Sequence, residues 1–245
     1  MPKKITHTYS WRASLGFFVL IFGVFSLTQM LILIFCLLPN HTLETILIPE
    51  FLESQIYNFI GPISIYSSII GLCLVIAASR FMISPYQSFS FSIKNILPIN
   101  KPSLKSIIKW LLILIGFSLF IAIISSWLNF PNEADFTNQV LSTSGSFLLL
   151  FYGIGIAQPI FEEFLFRGLL FKGLEQTLGG ALTVFSTSVL FVLPHIQYDF
   201  FILSVVLFPN ALILGYARLK TKSLTIPIIL HCTNNILTLT VGILN

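Results

Sequence analysis

The chain has 245 residues, 56% of them hydrophobic and 9% charged, where an ordinary soluble domain carries roughly 25% charged residues. Nine acids and thirteen bases cannot clothe a water-facing surface on a chain this long, so composition excludes a soluble globular protein and makes lipid the solvent. The net charge of +4 is then no sign of a nucleic-acid partner, because basic residues in a membrane protein report orientation first.

The chain opens Met1-Pro2-Lys3-Lys4, passes Arg12 and becomes apolar from Ser14 to Pro39. That run is too long for a cleaved signal peptide and is followed by no small-residue cleavage site, which predicts a first span that is retained. Crossing about 30 Å of hydrocarbon takes about 20 helical residues. Further runs of that length lie near 55–79, 110–130, 146–171, 177–198, 200–217 and 223–244. Little more than Asp199 separates the fifth from the sixth, and the longest polar stretch, 80–109, has the size of a loop. The predicted fold is all-α, a polytopic transmembrane bundle of about seven spans. Residues 1–140 supply three spans without a motif, and 141–245 form the part that carries chemistry. Cys36, Cys73 and Cys232 sit inside apolar runs without a CxxC pattern and read as small apolar filler.

Charge supports this division. With the N-terminus inside, the inner segments hold Lys3, Lys4 and Arg12; Arg80, Lys94, Lys101, Lys105 and Lys109; Arg167 and Lys172; and Arg218, Lys220 and Lys222. These are all the lysines and arginines, and the outer segments hold Glu44, Glu50, Glu53, Glu133, Asp135 and Asp199 instead. The positive-inside rule then predicts an N-in, C-out topology.

Spans one, two, three and six contain no Asp, Glu, Lys, Arg or His. Span four contains Glu162, Glu163 and Arg167, span five His195 and span seven His231. Each such group costs at least a few kcal/mol in a bilayer, which makes this set the functional candidate. On a helix Glu163 and Arg167 are four apart and can pair, whereas Glu162 is rotated by about 100° from Glu163 and has no helical partner. A carboxylate left without a partner suits a general base. The bland reading of Glu163 and Arg167 is an ion pair that fastens helices. Phe191 stands one turn before His195, and His231 and Asn235 share a face. A lone intramembrane histidine is often only a bonded core residue, but two of them with an asparagine and a carboxylate dyad argue for chemistry. Pro159, Pro194 and Pro227 precede the polar groups, and such prolines kink spans and free backbone carbonyls.

At these residues the chain resembles the CAAX protease and bacteriocin-processing (Abi) family, whose pattern is EExxxR, FxxxH and HxxxN or HxxxD. Here those are Glu162-Glu163 with Arg167, Phe191 with His195, and His231 with Asn235, within about residues 145–240. The resemblance implies an intramembrane endopeptidase embedded in a plasma or bacterial inner membrane. Glu162 would activate water, His195 would bond that water or the carboxylate, and His231 and Asn235 would stabilise the oxyanion. Glu163, Arg167 and Phe191 would position the others. The implied partners are a peptide or protein substrate, with a lipid-modified C-terminus as the precedent, and membrane lipids. Cofactor-free, glutamate-dependent catalysis is favoured, since no HExxH pair is present. The alternative is zinc on Glu162, His195 and His231. Two other functions compete: a non-catalytic bacteriocin-immunity or protein-handling factor of the same fold, and a small proton-relaying transporter. The transporter reading lacks an inverted repeat. Straight spans leave one tension, because they set Glu162 and His231 roughly 12–17 Å from the inner face and His195 nearer 25 Å.

Overall fold

A computed structural model describes residues 10–83, 93–128, 140–196 and 198–244. Among them every regular element is helical. The long helices are α1 (Trp11–Leu37), α3 (Pro49–Ile83), α4 (Leu104–Leu128), the run Phe147–His195, a helix over 200–221, and a last one at Thr225–Leu244; the single turn Leu43–Ile46 is α2. Among the described residues six helices are long and apolar enough to cross a membrane, and the protein is an integral membrane protein. Lys3, Lys4, Glu133 and Asp135, used in the topology reading, and the C-terminal Asn245 lie outside the described residues.

The run Phe147–His195 spans 49 residues, about 73 Å if straight and more than two bilayer cores. It is not straight. Gly179 has φ 74° and ψ 170°, a conformation that only glycine adopts without strain, and the chain doubles back there. The rings of Phe166 and Phe191 lie 5.2 Å apart, where a continuous helix would separate them by about 37 Å. The run is therefore a hairpin of two arms, α5 (147–178) and α6 (180–195). The sequence reading ended the fourth span at 171, before Lys172 and Glu175, but the helix continues to the turn. Glu162 and His195 lie at nearly equal distances along the chain from Gly179, so they stand at the same depth, and the tension in depth disappears.

Asp199 starts the next helix. Its Oδ1 accepts from the Ile202 N–H at 2.9 Å, a helix cap built at the narrow boundary between the fifth and sixth apolar runs. This helix, α7 (200–221), ends at Lys222 in the left-handed conformation. The turn into α8 (Thr225–Leu244) is held by the loop before α4: Leu224 N–H donates to the Pro98 carbonyl at 2.8 Å and Thr225 Oγ1 to that of Asn100 at 2.8 Å.

Contacts fix the alternation of the arms. Phe17 of α1 meets Phe81 of α3, and Phe25 of α1 and Gly71 of α3 both pack on Phe161, so α1 and α3 run in opposite senses. α3 and α5 run side by side in the same sense, so close that a Cβ on Gly61 would stand 2.7 Å from the Leu149 carbonyl carbon. His231 meets Glu163 and Asn235 meets Ile154, which sets α8 antiparallel to α5. The central core is Phe18, Val75, Phe161, Leu165, Leu169 and Leu170, from α1, α3 and α5. α4 packs its Trp110 and Leu114 on α7 and α8 and turns Leu112, Leu119, Ile123 and Trp127 outward, as a helix facing lipid does.

Candidate active site

The polar residues singled out in three spans come together on α5, α6 and α8. Their backbone is irregular there. Residues Gly153–Ala157 and Glu163–Leu170 are wound with i→i+5 hydrogen bonds, one segment on each side of Glu162. Such wider turns concentrate at functional sites. The first has a cause in the sequence. In this winding the Ile154 carbonyl would accept from residue 159, which is proline and has no N–H. The Asn235 amide Nδ2 supplies the missing donor at 2.9 Å. One carbonyl exposed by Pro159 is thereby satisfied from α8, and the other Nδ2 proton of Asn235 remains for a further acceptor.

Glu163 is fully buried and shared. Its Oε1 accepts from Arg167 Nη1 at 3.1 Å and from His231 Nδ1 at 2.9 Å. Arg167 is also fully buried. Its Nη2 donates to the Ala211 carbonyl of α7 at 3.1 Å, and its own carbonyl accepts from Arg218 Nε at 2.9 Å. The guanidinium lies 4.5 Å over the Phe191 ring, which stands edge-on to His231 at 5.6 Å. The pair expected from i,i+4 spacing is thus present, and Arg167, Phe191 and Glu163 bind four helices into a frame that orients His231.

Glu162 is 8% exposed and faces a cavity of about 610 Å³. It is not without a helical partner: Gln158, one turn earlier, donates Nε2 to its Oε1 at 2.9 Å. That corrects the sequence expectation, which weighed charged partners and passed over a neutral amide at the same spacing. The other oxygen, Oε2, stands 3.7 Å from His231 Nε2. His231 therefore lies between both carboxylates, bonded to Glu163 and turned toward Glu162.

His195 lines the same cavity. It ends α6 in a tight turn, Leu193–His195, in which Pro194 has no N–H to offer the Phe191 carbonyl at three-residue spacing. His195 Nδ1 meets that carbonyl at 2.8 Å. Only a protonated Nδ1 can do so, which leaves Nε2 of the neutral ring as an acceptor. Asn235 and the neighbouring pair Asn210–Asn234, bonded at 3.2 Å, complete the polar wall. The opposite wall comes from α1 and α3, including Phe22, Phe25, Ile60 and Ser64, so residues outside the motif-bearing half help to enclose the site.

Glu162 and His231 have a separation that two ligands of one ion can share, but among the described residues no three His, Cys, Asp or Glu side chains are grouped to hold an ion. A catalytic zinc takes three protein ligands.

Fold and site together define a class, a polytopic helical membrane protein with a carboxylate–histidine–asparagine cluster facing a cavity between its helices. Residues 144–237 match the family model described as Rce1-like, type II CAAX prenyl endopeptidase. The match contains every residue of the three motifs and less than half of the chain, with α1, α3 and α4 outside it. The resemblance to the CAAX-processing family holds over this stretch. No curated protein and no solved structure matches the chain.

Proposed function

We propose that this protein is an intramembrane endopeptidase of the CAAX-processing type, with Glu162 as general base. The observation that carries the reading is the placement of Glu162: a buried carboxylate on the wall of a cavity, held by Gln158 and facing His231 Nε2.

Water held between Glu162 and His195 attacks the scissile carbonyl carbon. Glu162 takes one of its protons, and His195 Nε2 accepts a hydrogen bond from the other. The oxyanion receives the free amide proton of Asn235 and, from the doubly protonated ring, Nε2–H of His231. Collapse of the tetrahedral intermediate breaks the C–N bond, and Glu162 returns its proton to the leaving amine. Glu163, Arg167 and Phe191 do not touch the substrate; they keep His231 in place. In this reading the basic helix ends face the cytoplasm and the cavity opens toward the opposite side.

The test is turnover of an internally quenched peptide library by the purified protein in lipid nanodiscs, with elemental analysis of the same sample. Cleavage that persists with substoichiometric zinc and survives chelation supports the glutamate-dependent reaction. One zinc per active chain, with activity lost to a chelator and restored by metal, contradicts it.

A further inference from the structure

α8 sets four polar side chains on the cavity wall, His231, Asn234, Asn235 and Thr238. The mechanism above uses His231 and Asn235 and leaves Asn234 without a task. The Oδ1 of Asn234 accepts from Asn210 Nδ2 of α7 at 3.2 Å. Its own Nδ2 has no hydrogen-bond partner among the described residues and is not closed off, whereas Asn210 Oδ1 is buried and unpaired.

The direction of that bond follows from what would otherwise be buried. Turning both amides around would enclose the two N–H groups of Asn210 without an acceptor, in place of one carbonyl oxygen, and unpaired buried donors are the rarer and costlier case. Asn210 therefore holds the oxygen of Asn234 toward α7 and leaves both N–H donors of Asn234 to the cavity. A pair that only fastened α7 to α8 would spend its donors between the helices. The cavity-lining side chains one turn either side of Asn210 are Leu207 and Leu214, which offer no acceptor, so the partner of Asn234 has to enter with the contents of the cavity.

A peptide brings such an acceptor whatever its sequence. In an extended chain a carbonyl recurs at every residue, about every 3.3 Å. Asn235 donates to the scissile carbonyl in the proposed mechanism, and Asn234 is its neighbour on the same wall. We infer, given that this cavity is a peptidase site, that Asn234 is a substrate-binding residue whose Nδ2 donates to a main-chain carbonyl beside the scissile one, with Asn210 as its positioning residue. The ligand is the main chain of an extended peptide: a neutral donor matches a neutral amide carbonyl and reads no side chain.

The experiment uses the full chain in phosphatidylcholine nanodiscs and one fluorescent, internally quenched peptide, the best cleaved of the library or, if none is cleaved, the tightest bound. A set of versions replaces one main-chain carbonyl oxygen at a time by sulfur, a weaker acceptor, leaving out the cleaved bond. Cleavage gives kcat/KM and anisotropy gives Kd. The wild type is expected to favour the all-oxygen peptide about three- to tenfold over one thioamide version, the range for a single neutral hydrogen bond. Asn234→Asp keeps the oxygen that accepts from Asn210 and removes the donors, and Asn234→Leu removes both without adding charge. Each should weaken the all-oxygen peptide by about that factor and erase its advantage, as a double-mutant cycle requires of two groups in contact. Asn210→Asp, which only accepts when ionised, turns the Asn234 amide around and should erase the advantage with Asn234 intact. Melting is followed in every variant. Variants that lose stability but keep the thioamide discrimination reduce the pair to a helix fastener and overturn the inference. Equal use of all versions by the wild type, or no binding of any, overturns it as well. Position-specific discrimination in binding without any cleavage, lost in the Asn234 variants, overturns the endopeptidase reading and supports the main-chain contact. Cleavage without such discrimination supports the endopeptidase and overturns the contact.

Discussion

His231 Nδ1 is bonded to Glu163 Oε1 at 2.9 Å, while its Nε2 stands 3.7 Å from Glu162. The two adjacent carboxylates therefore do different work on one ring: one anchors it and the other faces it across the site. Arg167 completes the anchor, so Glu163 has two partners that both need an acceptor oxygen.

Glu163→Gln keeps one such oxygen and should retain part of the activity, while Glu163→Leu should lose it together with stability. Removing one partner of a buried ion pair costs about 3–5 kcal/mol, so Arg167→Ala should lower the melting temperature far more than Glu163→Gln does. Thermal unfolding in detergent of the three variants, run beside peptide turnover, checks the order.

Much of this site can be read from spacing alone. Glu163 and Arg167 pair as i,i+4 geometry requires, and His195, His231 and Asn235 stand out because ionisable and amide groups are costly in lipid. Gln158 escaped notice because a neutral amide carries no such cost. The i→i+5 turns around Glu162 escaped because apolar periodicity presumes regular winding, and with them went the bond from Asn235 to Ile154. α1 and α3 gave no hint of lining the cavity, since Phe22 or Ile60 would look the same facing lipid. Gly179 was visible only as a glycine within an apolar run; its hairpin role depends on a backbone angle that composition does not display.

Asn235 is bonded to the Ile154 carbonyl, and in the proposed mechanism it also gives a proton to the oxyanion. Asn235→Ala should lower kcat by about 100- to 1000-fold, the range for losing one oxyanion donor. It should also lose about 1–3 kcal/mol of stability for the buried carbonyl left unpaired. Asn235→Asp, which has no N–H to give, should be as inactive. Turnover and melting measured on both variants decide whether both tasks exist; full activity in Asn235→Asp would remove the oxyanion role.

Gly179 turns α5 into α6 with φ 74° and open space around its Cα. Any side chain there is strained by the backbone and not by its neighbours, at about 1–3 kcal/mol. Gly179→Val should lower the melting temperature, while Gly180→Ala should do so by a different route, because a Cβ at Gly180 meets Leu219 at 2.6 Å. Shortening Leu219 to Ala should rescue Gly180→Ala and leave Gly179→Val unrescued.

The basic helix ends, among them Arg80, Lys172 and Lys220, should all face the cytoplasm, as the positive-inside rule requires of this charge distribution. Alkaline phosphatase fused after Asn245 should be active and a cytoplasmic reporter at the same point silent. Cysteine labelling at Gln176, exposed beside the α5–α6 turn, from the cytoplasmic side should succeed. The reverse pattern would invert the topology.

The most direct measurement is the turnover of Glu162→Gln. The substitution keeps the oxygen that accepts from Gln158 and removes only the carboxylate, so the fold should persist. The proposed mechanism predicts an unchanged melting temperature and a loss of kcat of at least about 100-fold, the lower end for general-base catalysis. A folded Glu162→Gln enzyme that cleaves peptides at the wild-type rate would contradict it.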